Sequence, residues 1–515
     1  MVFIDAAAAT PITAPRTRSE AELDVSTIAC ELRPHCSIAV IGAGGGIDIQ
    51  NALAMDADSI IAIEINPIIL DLIADRYHDY MGFPFDNPRV WPVQDEGRSF
   101  IARSRSRFDV IQLTLIDTWA ASVSGAYSLS ENYLYTVEAF RAYLEHLNTD
   151  GMLSIVRWHY ELPRLTALAR AALEEMGITE PSRHVLVMTD GLRGLLIVKR
   201  TPFTAGELDA VEHRAVVTRA VIEHDPVSPA GTTFYDGYLA ADDVTPFEES
   251  MQVAIHPVRD DSPFFFQMAK WNNVRWHELR AFGQGGVLEP LSLPVAQIVL
   301  IAALVVGLLF SLCLLAVPLV GRALPPERRW TWLLYFLSLG LAYIMVEVVL
   351  MQRFALFLGH PTFSVTAILF AILLFSGLGS AWSGRRSGDV RDVLRPVRLG
   401  LPLVLLLTAF ALPPVLRQLL GLPLALRLAI AVLAVAPAAF LMGAPFPTGI
   451  RALGVTEPRQ VAWAWAANGC ASVIGSVCAV LGAMVWNFSA MLMVATGVYA
   501  LALVMISRLR IKLAS

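Results

Sequence analysis

Charged side chains are scarce in this sequence. They make up 16% of its 515 residues, against about 25% in an average soluble domain, while hydrophobic residues reach 55%. This composition excludes an intrinsically disordered or fibrous chain, because those classes need polar or repetitive sequence. It indicates instead that part of the chain lies in lipid.

Acidic residues are nearly absent from the C-terminal part. Residues 293 to 515 hold 5 Asp and Glu against 16 Lys and Arg, a net charge of +11. Residues 1 to 292 hold 40 Asp and Glu against 23 Lys and Arg, a net charge of −17. Since nucleic acids are bound through clustered Lys and Arg, the acidic first part excludes nucleic acid as a partner. It is compatible with a cationic substrate.

Cysteine is also rare, and no signal peptide can be recognised. The five cysteines are too scattered for a disulfide framework or a zinc site, so we expect no metal and a reducing compartment. The N-terminal sequence MVFIDAAAATPITAPRTRSEAELD has no sustained apolar core and contains acids. We therefore expect that no cleavable signal exports the first part.

Apolar runs long enough to cross a bilayer, about 20 residues each, recur beyond residue 292. We predict seven membrane helices, with six helices and a re-entrant segment as the alternative, because the fourth run is short and closes on Pro413 and Pro414. The seven runs are 294 to 317, 331 to 351, 362 to 382, 400 to 416, 425 to 445, 463 to 485 and 488 to 507.

The orientation of these helices is predicted in two conflicting ways. The linkers RALPPERR, SGRRSGDVRDVLRP and RALGVTEPRQ are rich in Arg, which favours a cytoplasmic side for them and, with seven spans, an external side for residues 1 to 292. The missing signal peptide favours the cytoplasm for residues 1 to 292. We expect a multi-pass protein of the inner cell membrane with a cytoplasmic soluble part, and the conflict stays open.

The soluble part alternates strand-length apolar runs with helical patterns, which predicts a parallel α/β sheet. SIAVIGAG, SIIAIEINP, FDVIQLTLI and GMLSIVRW are the expected strands, and HVLVMTDGLRGLLIVKR is an expected hairpin that turns at Asp190 and Gly191. We divide the chain into an N-terminal extension (1–35), a Rossmann-like nucleoside-binding domain (36–202), a Pro-rich docking region (203–292) and a membrane domain (293–515).

A glycine-rich turn follows the first of these strands. The residues Gly42, Gly44, Gly45 and Gly46 stand between a strand and a helix, where glycines let the backbone approach a nucleotide. Position 47 is isoleucine, so the dinucleotide pattern GxGxxG is not met and a single nucleoside is favoured. The alternative is a plain tight turn.

Four acids lie near the expected strand ends. Glu64 ends the next strand, where an acid can accept hydrogen bonds from ribose hydroxyls. Asp95 and Glu96 follow WPVQ, where an acid can contact an adenine amino group, and the alternative for them is an exposed loop. Asp48 lies two residues beyond the glycines and either faces the ligand or caps the helix.

Catalytic candidates follow the strand FDVIQLTLI. Asp117 lies at the carboxyl edge of the predicted sheet, where open α/β folds bind ligands, and its alternative role is a helix cap. Trp119, Tyr127 and Tyr135 are candidates for the wall of a substrate pocket, although aromatic residues are more often part of the core.

Polar residues interrupt the apolar runs. Glu347 lies inside the second run, and an acid within a membrane is a functional hypothesis by default. The alternatives are an ion pair with Arg353 or a position near the helix end. Asn468 could bond a neighbouring helix, and Pro445 with Pro447 would break a span.

Together these residues resemble a known family. VIGAGGGIDIQNALAMDADSIIAIEINP, DEGRSF and FDVIQLTLIDTWAASVSGAYSLSENYLYTVEAF look like the membrane-anchored branch of the spermidine synthase (polyamine aminopropyltransferase) family, which has a class I methyltransferase-like fold. In the membrane part, YIMVEVVLMQRFALFLGHPTFSVTAILFAILLFSGLGS, GAPFPTGIRALG and AWAWAANGCASVIGS are similar to the same branch. The resemblance spans roughly residues 36 to 500. It implies a nucleoside site at Gly42, Gly44 and Gly46, ribose binding by Glu64, adenine binding by Glu96 with Asp95, and catalysis by Asp117.

Three features of this sequence depart from the resembled family. The first Asp of the family's catalytic loop falls on Thr114, and the Asp that holds the aminopropyl ammonium falls on Gly45. The family's N-terminal β-domain, which roofs the amine pocket, cannot fit in about 36 residues. Because the attacking amine must be uncharged, loss of a carboxylate that deprotonates it bears directly on activity.

From these residues we expect a membrane-bound transferase that takes S-adenosylmethionine or its decarboxylated form as co-substrate and passes an aminopropyl group to a polyamine or other small acceptor. A methyltransferase is the alternative among enzymes. A polyamine transporter or sensor with a silent nucleoside-binding domain is the alternative from another class. The expected partners are the acceptor and the lipid bilayer, and a homo-oligomer is left open.

Overall fold

The computed structural model describes residues 2–4, 8–116, 132–270, 295–316, 326–509 and 511–513. These residues form two compact units, Met1–Ala296 and Gln297–Ser515. The predicted site residues Asp117, Trp119 and Tyr127 lie outside the described residues.

The first unit is built on an eight-stranded sheet. Its strands are β3 (Ser37–Ile41), β4 (Ser59–Glu64), β5 (Val90–Gln94), β6 (Phe108–Thr114), β7 (Leu147–Trp158), β8 (Val185–Thr189), β9 (Arg193–Lys199) and β10 (Val221–His224), preceded by the hairpin β1 (Val2–Ile4) and β2 (Ala8–Thr10). The order across the sheet is β5-β4-β3-β6-β7-β9-β8-β10. Strands β3 to β7 run parallel, and β9 and β10 run antiparallel to their neighbours.

Helices cover both faces of this sheet, which explains why its strands are almost continuously apolar. The described helices are α1 (Arg18–Ala21), α2 (Ile28–Leu32), α3 (Ile47–Ala54), α4 (Pro67–Asp71), α5 (Gly97–Arg103), α6 (Val137–Glu145), α7 (Leu162–Glu175), α8 (Ala205–Thr218), α9 (Phe234–Ala240) and α10 (Thr245–Ser250). One face of the sheet packs on α5, α6 and α7, and the other on α2, α3 and α8.

The predicted fold class is confirmed. From β5 to β8 the strand order is that of a class I methyltransferase-like, Rossmann-like sheet, with one antiparallel strand inserted between two parallel ones. The predicted hairpin is β8 and β9, and its turn closes with a bond from the Asp190 amide to the Arg193 carbonyl, with Gly191 at φ 91°. Because β3 to β6 are parallel, their carboxyl ends meet at one edge of the sheet.

Residues 260–270, the described part of the segment DDSPFFFQMAKW, belong to the core of the first unit. Phe265 is fully buried against the sheet helices, and Arg98 of α5 makes two bonds with Asp260, at 2.6 and 2.8 Å. Arg164 of α7 donates to the carbonyls of Phe265 and Gln267. These contacts hold residues 260–267 against α5 and α7.

The second unit contains seven helical stretches that are long and apolar enough to cross a membrane, as far as the described residues extend. Its helices are α11 (Val295–Ala316), α12 (Pro326–Leu358), α13 (Pro361–Gly384), α14 (Val390–Phe410), α15 (Leu412–Gln418), α16 (Leu424–Met442), α17 (Pro445–Thr456), α18 (Val461–Val485) and α19 (Phe488–Ser507). The number seven agrees with the first of the two predicted counts. The short strands β11 (Gly388–Asp389) and β12 (Lys512–Leu513) pair with each other.

The fourth stretch differs from its prediction. It begins at Val390 instead of residue 400, with the side chain of Asp389 capping its first turn, and it contains Pro396 and Pro402. Part of the predicted Arg-rich linker is therefore helical. The helix extends through three arginines because the N-terminal cap, and not the start of the apolar run, sets its first residue.

Three predictions about residues of the second unit can be checked directly. Asn468 donates to the Phe336 carbonyl on another helix at 3.2 Å, as expected, and Pro445 begins a new helix after a gap of two residues from the end of α16. The alternative of an ion pair between Glu347 and Arg353 is wrong within the described residues. The Arg353 guanidinium donates to the Thr408 carbonyl and to the Ser489 hydroxyl instead.

Candidate functional site

The glycine turn between β3 and α3 forms the floor of the candidate site. Gly42, Gly44 and Gly46 have backbone φ angles of 71°, 48° and 88°, which residues with a Cβ rarely adopt. A Cβ on Gly46 would also lie 2.4 Å from the Met81 methyl group. The turn therefore requires glycine at these positions.

Glu64 ties this turn to the end of β4. Its Oε2 accepts from the Gly44 amide and its Oε1 from the Asn66 amide, both at 2.9 Å, and the residue is 6% exposed. Each carboxylate oxygen can accept a second hydrogen bond. The structure thus brings the predicted ribose-binding acid into direct contact with the predicted nucleoside turn.

Asp95 and Glu96 are held inside their own turn at the end of β5. Glu96 caps α5 through both carboxylate oxygens, which accept from the amides of Arg98 and Ser99 at 3.0 and 2.8 Å. Asp95 accepts from the Glu96 amide and pairs with Arg103. Both acids lie at the expected sheet edge with a defined structural role, and their adenine contact stays a prediction.

Asp48 is buried in the first turn of α3 and does not cap the helix, so the capping alternative is wrong. Burial raises the pKa of its carboxyl to about 7, while the nearby hydroxyls of Thr114 and Ser26 favour the ionised form. The charges facing it are the Asp24 carboxylate, which raises its pKa, and the Arg193 guanidinium, which lowers it. The structure therefore places an acid with a pKa of about 7 close to Thr114, the position at which the resembled family has an aspartate.

Thr114 is the last residue of β6. Its hydroxyl accepts from the Gln112 side-chain amide at 2.8 Å, which fixes it at the carboxyl edge near Asp48. An uncharged hydroxyl cannot act as a base at neutral pH. Near this edge it is therefore Asp48 on the adjacent helix α3, and not Thr114, that could accept a proton.

Tyr135 is not at an open surface. It is fully buried, with its ring 4.8 Å from that of Phe265 and 5.3 Å from the Arg157 guanidinium. The ring belongs to the core between β7 and the phenylalanines of residues 264–266, and the part of Tyr135 in a substrate pocket stays a prediction.

A segment that the sequence did not single out crosses the glycine turn. The Thr10 hydroxyl accepts from the Gly45 amide at 2.8 Å, and the Thr13 amide donates to the Gly45 carbonyl at 3.2 Å. A Cβ on Gly45 would lie 2.0 Å from the Pro11 carbonyl oxygen. We call residues 10–13 the N-terminal strap; the sequence TPIT has no pattern that could have predicted it.

The strand order, the glycine turn and the acid that ends β4 define a Rossmann-like domain of the class I methyltransferase type, a fold found in transferases. No protein-family model matches the chain. Polyamine aminopropyltransferase 1 of Pseudomonas aeruginosa is 29% identical over 117 residues, or 22% of this chain. The chain spans only 38% of that relative.

Solved structures that are similar to part of the chain include a spermidine synthase and a methyltransferase-like protein. Spermidine synthase from Thermotoga maritima is 17% identical, with a TM-score of 0.26, over 37% of this chain and 61% of that one. Human methyltransferase-like protein 13 in complex with SAH is 16% identical, with a TM-score of 0.27, over 39% and 89%.

Proposed function

We propose that the chain is a membrane-bound, spermidine synthase-like transferase that binds S-adenosylmethionine or its decarboxylated form and transfers an aminopropyl group to a polyamine. The observation that carries this proposal is the Gly44 amide bound to Glu64 at the carboxyl edge of the sheet. A carboxylate at the end of a strand and beside a glycine turn suits the binding of ribose hydroxyls, which supports the proposal. The acidic charge of residues 1 to 292 supports a cationic acceptor.

The reaction needs a base for the acceptor. The amine lone pair attacks the carbon beside the sulfonium, a C–N bond forms, the C–S bond breaks and its electron pair goes to sulfur. The amine must lose a proton, which a carboxylate near the reacting atoms can receive. In this chain Asp48 supplies a buried carboxyl next to Thr114, and Asp117 follows three residues later in the sequence.

Methyl transfer is the second candidate, and the N-terminal strap favours it. In the resembled family an aspartate at position 45 holds the aminopropyl ammonium. Here the Pro11 carbonyl oxygen lies only 2.0 Å from the position that the Cβ of such an aspartate would take. Transfer of a methyl group needs no carboxylate at this position.

Calorimetric titration of the full-length chain in detergent with the two sulfonium nucleosides tests the proposal. We expect binding of both, and the preferred donor identifies the group transferred. Incubation of the preferred donor with putrescine, followed by mass spectrometry, identifies the product as an aminopropyl or a methyl adduct. Binding without any product would favour the sensor, and no binding of either nucleoside would refute the proposal.

A further inference from the structure

A polar cluster lies between helices of the second unit, among residues that the proposed transfer does not use. It consists of Tyr343 and Glu347 on α12, Ser376 on α13 and Tyr499 on α19, and we call it the Glu347 cluster. Tyr343 and Glu347 are four residues apart and so share one face of α12. The Tyr343 hydroxyl lies 3.5 Å from the Ser376 hydroxyl on the neighbouring helix.

All members of the cluster lie near the middle of their helices. Glu347 falls in the span Trp330–Leu358, Ser376 in Pro361–Gly384 and Tyr499 in Phe488–Ser507. If these helices cross a bilayer, the carboxyl group of Glu347 lies near its midplane. Acids at that depth are rare and costly, and they are typical of substrate and ion sites.

The carboxyl group of Glu347 has no hydrogen bond or ion pair within residues 295–316 and 326–509. The two buried arginines of the same unit do not neutralise it, because they are bound to backbone carbonyls. Arg353 donates to the Thr408 carbonyl, and Arg427 donates to the Phe357 carbonyl at 2.9 Å. An acid is thus left available for a cation from outside the chain.

A second, independent observation comes from Tyr499. The residue is 1% exposed, and its hydroxyl has no hydrogen-bond partner in the part of the chain that the structure describes. The helix α19, which carries Tyr499, packs against α12, which carries Tyr343 and Glu347. A buried hydroxyl without a partner is costly, and a ligand held beside Glu347 would supply that partner.

The chemistry of the cluster selects among cations. A carboxylate with tyrosine rings and hydroxyls suits an organic ammonium, which makes a charge-assisted hydrogen bond and can lie against an aromatic ring. A bare metal cation is commonly coordinated by carbonyls of unwound helix. Helix α12 is continuous from Pro326 to Leu358, so its carbonyls beside Glu347 remain in helical hydrogen bonds.

We infer that the Glu347 cluster is a binding site for a protonated aliphatic amine within the membrane part. The inference goes beyond the proposed transfer and does not depend on it. It adds a second amine site to the chain, formed by three helices of the second unit.

The probe for this site is radiolabelled putrescine, bound to the full-length chain in lipid nanodiscs. Loss of a charge-assisted bond should weaken binding to Glu347→Gln by roughly ten- to a hundred-fold. Tyr499→Phe removes only the hydroxyl and should weaken binding less. The matched control is Asp392→Asn, an exposed acid in the first turn of α14, which should bind as the wild type does.

A site-specific readout separates this site from the soluble one. Dicyclohexylcarbodiimide, an apolar reagent for carboxyl groups, should modify Glu347, and putrescine should protect it, as measured by mass spectrometry of the peptide. Labelling that putrescine does not reduce, or putrescine affinity that Glu347→Gln and Tyr499→Phe both leave unchanged, would overturn the inference. Protection by sodium ions but not by putrescine would refute the assignment to an amine.

Binding of the sulfonium nucleosides is measured on the same variants. Retained nucleoside binding together with loss of one of two putrescine sites at Glu347→Gln supports the inference and leaves the proposed transferase intact. Protection of Glu347 in a chain that binds neither nucleoside would refute the transferase and leave the membrane site standing.

Discussion

The hydroxyl of Thr10 accepts a hydrogen bond from the amide of Gly45 at 2.8 Å. This bond joins the N-terminal strap to the centre of the glycine turn, where the resembled family has an aspartate. The close approach of the Pro11 carbonyl means that Gly45 and the strap are structurally linked, since any side chain at position 45 would have to displace it.

Gly45→Ala should therefore destabilise the soluble unit and release the strap. The added Cβ meets backbone and not a flexible side chain, so we expect a loss of at least about 1 kcal/mol in the free energy of unfolding. Hydrogen exchange measured by mass spectrometry should become faster in residues 8–16. Gly206→Ala is the control, because a Cβ there meets nothing within 4 Å. Equal exchange in both variants would contradict the packing described.

Glu64→Ala should weaken binding of either sulfonium nucleoside by roughly ten- to a hundred-fold, because charge-assisted bonds to the ribose are lost. Glu64→Gln keeps an acceptor for a backbone amide and should lose less. Asp79→Ala, whose side chain is 93% exposed, is the control. Calorimetry on folded variants decides the matter, and unchanged affinity in Glu64→Ala would remove Glu64 from the site.

Asp48 should make stability depend on pH. Burial raises the pKa of Asp48 from 3.8 to about 7, so the folded state binds the proton more tightly than the unfolded state. Ionisation of Asp48 in the folded state therefore lowers the free energy of unfolding. This loss is absent below about pH 4, grows by about 1.4 kcal/mol for each pH unit up to about pH 7, and is constant above that. Asp48→Asn should therefore raise the melting temperature in detergent at about pH 8 more than at about pH 5. A pH-independent difference would refute the assigned pKa.

Asp117→Asn should lower turnover by about 10² to 10⁴-fold and leave nucleoside affinity nearly unchanged, if Asp117 acts as the base. Its position lies outside the described residues, so the role rests on sequence.

Thr114→Asp should not increase aminopropyl transfer, because a second carboxylate close to Asp48 disfavours ionisation of both and the strap still occupies the space beside Gly45. Steady-state rates with putrescine test both variants, and a gain in Thr114→Asp would show that only one residue was missing.

Residues 1 to 292 should face the cytoplasm. In a variant without native cysteines, single cysteines at Ser228 and Ser387, which are both exposed, are labelled with an impermeant maleimide in intact cells. We expect no labelling at Ser228. Labelling there from outside would support the orientation that the Arg-rich linkers favour.

Elements whose signal lies within a short stretch of sequence could be predicted before the structure. The strand Ser37–Ile41, the glycine turn and Glu64 were predicted because apolar runs, glycines and a strand-end acid occur in register within about 30 residues. The seven apolar stretches were predicted because a bilayer requires a minimum length of apolar helix.

Contacts between residues that are distant in the sequence could not be predicted from it. Thr10 bonds Gly45 across 35 residues, Arg98 bonds Asp260 across 162, and Asp48 lies near Thr114 on another element. Likewise, the helices that carry Glu347 and Tyr499, α12 and α19, are distant in sequence and pack against each other. Hydrophobic periodicity specifies which face of an element is buried, but it carries no information about the partner of a polar side chain. That partner is set by the packing of whole helices and strands.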